Sequence, residues 1–214
     1  MKNIFDQDGW LYQGLTTLAN LLILNFLTIL ACIPVITIGA ALTALSKVSL
    51  DIARKQESYI ARSYWKSFRE NLRGATILWL IWAVIAALFF LDIRVLGLYP
   101  ELFPPVLKYV VTAAGLVAFM IFQYIFPLQS HFENTIRGTI RNAALLAIAN
   151  LPKTIVMCAV WIVPIWILRN AVVLWPLLIM FGFSGPAWVC AVLYSGIFKK
   201  FEPADGEDTG EGIQ

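Results

Sequence analysis

The residues able to carry reaction chemistry in this chain are few and poorly arranged for it. Ser184, in Gly182-Phe-Ser-Gly185, sits between glycines as an accessible nucleophile would. A serine attacks only with a base within hydrogen-bond reach, and the single histidine, His131, does not follow it in the chain. Cys32, Cys158 and Cys190 stand far apart, with no CxxC pair. That is not the spacing of metal ligands, and the three read as small buried hydrophobes. No catalytic residue, metal or cofactor is expected. Ion-coupled carriers place ionisable side chains inside the membrane; here Asp92 and Arg94 only end an apolar run. Asn20 and Asn25 fall within the first apolar run and are expected to hydrogen-bond across helices.

The elements that must position these residues follow from composition. Of 214 residues, 60% are hydrophobic and 14% charged. Soluble domains carry about 25% charged residues, so the chain lacks the charge to cover a water-facing surface. A helical crossing needs about 20 apolar residues, and five runs qualify: 15–38, 75–91, 109–128, 151–168 and 171–198. The expected fold is all-α, a polytopic helical membrane protein of one domain, 1–201, with amphipathic cytoplasmic segments at 41–73 and 131–150. The segment 202–214 reads as a disordered acidic tail. A net charge of +3 gives no reason to expect a nucleic-acid partner; the bilayer itself is the expected partner.

Cytoplasmic loops carry the excess of lysine and arginine. The first long loop holds Lys47, Arg54, Lys55, Arg62, Lys66, Arg69 and Arg73. Arg137, Arg141 and Lys153 follow the third run, and Lys199 and Lys200 follow the fifth. With five crossings these segments share one side, which predicts an outside N-terminus and an inside C-terminus. A cleaved leader is not expected, because Asp6 and Asp8 stand where a basic n-region belongs.

Within the first loop, Ala61, Trp65, Phe68 and Leu72 form an apolar stripe at helical spacing. Arg62, Lys66, Arg69 and Arg73 form a basic stripe one residue's rotation away. Such a helix suits the headgroup boundary or a docking partner, and Trp65 and Phe68 join the four cations as candidate contacts. In the second loop Glu133 precedes Arg137 by four residues, a favourable helical pair, and Arg141 continues that face. Pro34 and Gly39 are expected to break the chain after the first run, and Gly182, Gly185 and Pro186 to break or kink the fifth.

Several of these stretches carry resemblances. Gly182-Phe-Ser-Gly185 resembles the rhomboid protease motif but lacks that family's later histidine. Glu133, with Leu151-Pro152 eighteen residues on, resembles the loop by which sugar-importer permeases engage their ATPase. There the glycine is one place off, at Gly138, and Asn134 and Thr135 replace the alanines. The run Asn20-Leu-Leu-Ile-Leu-Asn25, then Pro34-Val-Ile-Thr-Ile-Gly-Ala-Ala-Leu-Thr-Ala-Leu45, resembles the start of YesL-like bacterial membrane proteins. Tyr59-Ile60, Ser67-Phe-Arg-Glu-Asn71, Phe132-Glu-Asn134, Asn142-Ala143 and Ile197-Phe-Lys-Lys-Phe-Glu202 follow in the same order. This resemblance implies a bacterial cytoplasmic-membrane protein of about five spans, of a kind often encoded beside carbohydrate ABC importers and polysaccharide-utilisation genes, with no established activity. The expectation is a non-enzymatic accessory protein that binds, assembles or regulates carbohydrate ABC importer subunits. The alternative is a small stand-alone transporter or channel for an uncharged solute or lipid.

Overall fold

The computed structural model describes residues 10–56, 59–132 and 135–199. Among these the regular elements are helical and no strand occurs. In chain order they are α1 (Trp10–Cys32), α2 (Ile38–Ala53), α3 (Ile60–Leu98), α4 (Pro105–His131), α5 (Ile136–Ala149), α6 (Leu151–Asn170), α7 (Trp175–Phe181) and α8 (Ser184–Phe198). Five helices are long and apolar enough to cross a membrane: α1, α2 with its preceding turn, α3, α4 and α6. α7, with the short turn before it, and α8 meet at a 57° bend and count as a sixth only if the bent pair is one span. This is an all-α polytopic membrane protein. Glu133 and the acidic tail lie outside the described residues.

α2 is the hub. The chain leaves α1 at Pro34, turns through a short 3-10 segment, Val35–Thr37, and returns as α2. The Thr37 hydroxyl donates to the Ala31 and Pro34 carbonyls, both at 2.8 Å, and stitches this turn. Read by periodicity alone, Leu42, Leu45, Val48 and Ile52 suggest a surface helix with one apolar side. In the structure α2 is enclosed on most sides, with Ala40, Ala41, Thr43, Ala44, Val48 and Ser49 fully buried. Small side chains are the physical reason, because they let neighbouring backbones approach closely. A Cβ on Gly39 would meet the Ala75 carbonyl oxygen and lie 2.7 Å from the Trp79 Cβ. Gly39 is thus a contact point inside the first turn of α2.

The hairpin also fixes which ends adjoin. Lys55 Nζ donates to Gln13 Oε1 at 2.9 Å, and Arg54 Nε donates to the Ser195 hydroxyl at 3.3 Å. The start of α1, the end of α2 and the end of α8 therefore share one end of the bundle. α2, the most enclosed of the candidate spans, runs back along α1 to this end.

α3 is a continuous helix of 39 residues, about 58 Å long at 1.5 Å per residue. A hydrocarbon core is about 30 Å thick, so an upright α3 carries nearly half its length beyond it. Its first part holds the basic stripe, its second part, Ala75 onward, is mostly apolar, and the helix packs against both α2 and α4. The stripe and the second apolar run are thus one rod, with no hinge between loop and span.

Across the bundle, Tyr124 Oη and Thr154 Oγ1 share a hydrogen bond at 3.0 Å. Thr139 Oγ1 donates to Gln129 Oε1 at 3.2 Å, and a Thr135 cap at Gly138 N, 3.2 Å, starts α5. These bonds tie α4, α5 and α6 together. The α7–α8 break is held by Asn25 of α1, 1% exposed. Its amide donates to the Ile179 carbonyl at 2.7 Å, and its Oδ1 accepts from Phe183 N and Ser184 N at 2.9 and 3.0 Å. One side chain thereby satisfies backbone groups that the break leaves without helical partners.

Candidate functional site

Two cavities flank α2. The first is a polar groove of about 520 Å³ between the second half of α2, the first half of α3 and the end of α4. Lys47 and Asp51 enter it from α2 and pair at 3.3 Å. Asp51 is 7% exposed, although α2 ranks among the helices able to cross a membrane. The sequence, read with 41–73 as a cytoplasmic segment, gives no ionisable residue inside a span. The packing of α2 brings one inside the bundle. Burying a carboxylate is costly unless it is paired, and Lys47 one turn away supplies the pairing. From α3 come Arg62, Lys66, Ser67, Glu70 and Asn71, and from α4 Ser130. The Ser67 hydroxyl is buried and makes no hydrogen bond.

The second cavity, about 340 Å³, lies on the other flank of α2 and is almost wholly apolar. Leu42, Trp79, Phe122, Trp161, Ala187 and Tyr194 are among the residues that line it. Volumes of 300 Å³ and more are the usual range for small-molecule sites. Its polar edge is thin. Gln123 Nε2 donates to Cys158 Sγ at 3.6 Å, and Tyr194 Oη donates to the Ser46 carbonyl at 3.2 Å.

The residues expected from sequence divide between these features and the surface. Arg62 and Lys66 line the groove, whereas Arg69 and Arg73 are exposed beyond it. Trp65 and Phe68 are half-buried, meet edge to face at 5.3 Å, and pack against the α1–α2 core. Arg137 and Arg141 are exposed on α5. Pro34 precedes the 3-10 turn, and the α7–α8 break falls at Gly182-Phe183. Gly185 and Pro186 lie in the first turn of α8. A Cβ on Gly182 would run into the Leu178 carbonyl oxygen, whereas one on Gly185 finds ordinary contact with Phe181 at 3.7 Å.

Ser184 opens α8, and His131 stacks on Phe198 at its far end, with centroids 5.6 Å apart. Those ends are about 21 Å apart by helical rise, so this histidine is out of reach as a base for Ser184. No group of three or more His, Cys, Asp or Glu able to hold a metal occurs among the described residues. Sequence reasoning missed Lys47, Asp51, Ser67 and Asn71 as a group. The i,i+4 spacing of Lys47 and Asp51 was a visible signal, but nothing local reports that Ser67 faces them.

Fold and cavities together define a helical membrane protein with a polar groove at one end and an apolar cavity in its bundle. Residues 18–93 match a family model described as "Protein of unknown function, DUF624". The chain is 27% identical over 143 residues to "Uncharacterized protein YesL" of Bacillus subtilis (strain 168), covering 66% of this chain and 67% of that protein. No solved structure matches. The chain is YesL-like, similar to a family of unknown function.

Proposed function

We propose that this is a non-enzymatic accessory protein of the bacterial cytoplasmic membrane whose basic end docks a cytoplasmic partner, a carbohydrate ABC importer subunit. The observation that carries the docking role is the run of exposed cations on a rigid scaffold. Arg69 and Arg73 project from an α3 packed along α2, and Arg137 and Arg141 are exposed on α5. The excess of lysine and arginine at this end favours the cytoplasm. The Ser184 hydroxyl is fully buried with no base bonded to it, and His131 stacks on Phe198, which favours a binding role over catalysis. The importer as partner rests on the family resemblance.

The test is affinity purification of the tagged protein from native membranes, with and without cross-linking, read by mass spectrometry. Importer permease or ATPase subunits should be enriched, and replacing Arg69, Arg73, Arg137 and Arg141 with glutamine should deplete them while membrane insertion stays intact. Undiminished recovery from the variant sinks the docking surface, and no importer subunit at all sinks the partner assignment.

A second reading, a stand-alone carrier for an uncharged solute or lipid, is favoured by the apolar cavity. It requires flux in liposomes containing only this protein, suppressed by filling the cavity with Ala187→Trp. Equal flux in protein-free liposomes rejects it.

A further inference from the structure

We propose that the groove between α2 and α3 is a binding site for a phosphate group carried on a hydroxylated carbon chain. This inference goes beyond the docking role and does not rest on it.

Among the described residues, three cations line the groove, Lys47, Arg62 and Lys66, with two carboxylates, Asp51 and Glu70. Asp51 accepts from Lys47 at 3.3 Å and is largely enclosed, with its side chain 10% exposed. Arg62 and Lys66 stand one turn apart on α3 and are exposed on the groove side, so the accessible charge is positive. An arginine fork and a lysine ammonium beside hydroxyl and amide donors match the several acceptor oxygens of a phosphate.

Ser67 supplies the independent observation. It is 6% exposed, lines the groove, and its hydroxyl has no partner. A helical serine commonly returns its hydroxyl to the preceding turn, and an unmade buried hydrogen bond is costly. The hydroxyl is enclosed as it stands, and turning the side chain toward the groove brings it to an acceptor oxygen bound there. Asn71 directs its amide nitrogen to the Ser67 carbonyl at 3.0 Å, which holds that side chain at the groove wall. Glu70, exposed, is an acceptor for a ligand hydroxyl; hence the hydroxylated chain.

The pairing order of Lys47 and Asp51 fits this assignment. Acid before base at i,i+4 is the more stabilising order in a helix, and here the base comes first. The pair therefore adds little to helix stability, while it leaves an ammonium fixed at the groove.

A phosphate on a hydroxylated chain occurs both in anionic lipid headgroups and in soluble polyol phosphates, and the experiment separates them. The protein is reconstituted in phosphatidylcholine nanodiscs and titrated with glycerol phosphate, followed by phosphorus NMR. In parallel, nanodiscs with equal phosphatidylcholine and phosphatidylglycerol are analysed by native mass spectrometry for retained lipid. The variants are Arg62→Gln with Lys66→Gln, Ser67→Ala alone, and Arg94→Gln at the far end of α3 as a charge control. Lys47 is left intact, since its loss strands Asp51.

Saturable glycerol phosphate binding assigns the soluble source, and selective phosphatidylglycerol retention without it assigns the headgroup. In either case Ser67→Ala should weaken binding about tenfold, the scale of one hydrogen bond to a charged group, and the double variant more, with Arg94→Gln unchanged. Absence of both forms of binding overturns the proposal. So does an effect of Arg94→Gln equal to that of the double variant, or unaltered binding by Ser67→Ala. No importer subunit is present, so this outcome is independent of the docking test.

Discussion

Among single residues, Asn25 carries more of the architecture than its composition class suggests. Its amide meets one carbonyl and two backbone N–H groups across the α7–α8 break. Interhelical hydrogen bonds in membranes contribute roughly 0.6–1.7 kcal/mol each, so Asn25→Leu should cost about 2–5 kcal/mol. Thr43→Val is the matched control, because the Thr43 hydroxyl, also fully buried, donates within its own helix, to the Gly39 carbonyl at 2.9 Å. Thermal unfolding in detergent should show the larger loss in Asn25→Leu, and equal losses would remove Asn25 as the clasp. The polar character of Asn25 inside an apolar run was plain in the sequence. Its partner was not, since the bond closes between residues 154 positions apart and no local pattern encodes that contact. Lys55 was equally illegible. It takes a left-handed φ of 56° to end α2, with Gln56 N bonded to the Asp51 carbonyl at 2.9 Å and Lys55 N to Ile52 at 3.1 Å. Such helix ends usually announce themselves with glycine, and none stands there.

At the scale of elements, apolar runs and their periodicity made the long helices readable, because hydrophobic length is a local property of the chain. The role of α2 was not readable. Its length and charges suit a cytoplasmic segment, and only the contact of its small residues with α1, α3 and α8 makes it the hub. Gly39 is the sharpest case, since proline and glycine around the turn suggest a break, whereas the glycine serves to seat α2 against Ala75 and Trp79. Gly39→Ala should therefore cost about 1–3 kcal/mol or more by overpacking. Gly14→Ala, where a Cβ meets nothing within 4 Å, should be neutral or gain up to about 1 kcal/mol of helix propensity. Chemical unfolding of the two variants in the same detergent checks the contrast. Similar stability of the two would mean that α3 shifts away from α2 at little cost. The groove inherits its legibility from α2: its α3 cations stood out as a stripe, but with the helix opposite read as a separate amphipathic segment there was no facing wall.

For the molecule as a whole, the question is how many times the chain crosses, and α2 decides it. If α1 crosses and α2 does not, the start of α1 lies opposite the end of α8. The Gln13–Lys55 and Arg54–Ser195 contacts instead gather the start of α1, the end of α2 and the end of α8 at one end. That arrangement also collects Lys55, Arg54 and Lys199 with the first half of α3, as the preference of cations for the cytoplasmic side favours. The opposite end is marked by the turn between α3 and α4, where Leu102 is 73% exposed. In a variant with Cys32, Cys158 and Cys190 replaced by alanine, single cysteines at Gln13, Lys199 and Leu102 report the sides directly. A membrane-impermeant maleimide applied to sealed, right-side-out vesicles should label Leu102→Cys and spare both Gln13→Cys and Lys199→Cys. Inverted vesicles should give the reverse. Labelling of Gln13→Cys together with Leu102→Cys would show that α1 crosses alone and that α2 stays on the cytoplasmic side with α3's basic half. The groove would then sit wholly outside the hydrocarbon, open to soluble phosphate esters before lipid headgroups.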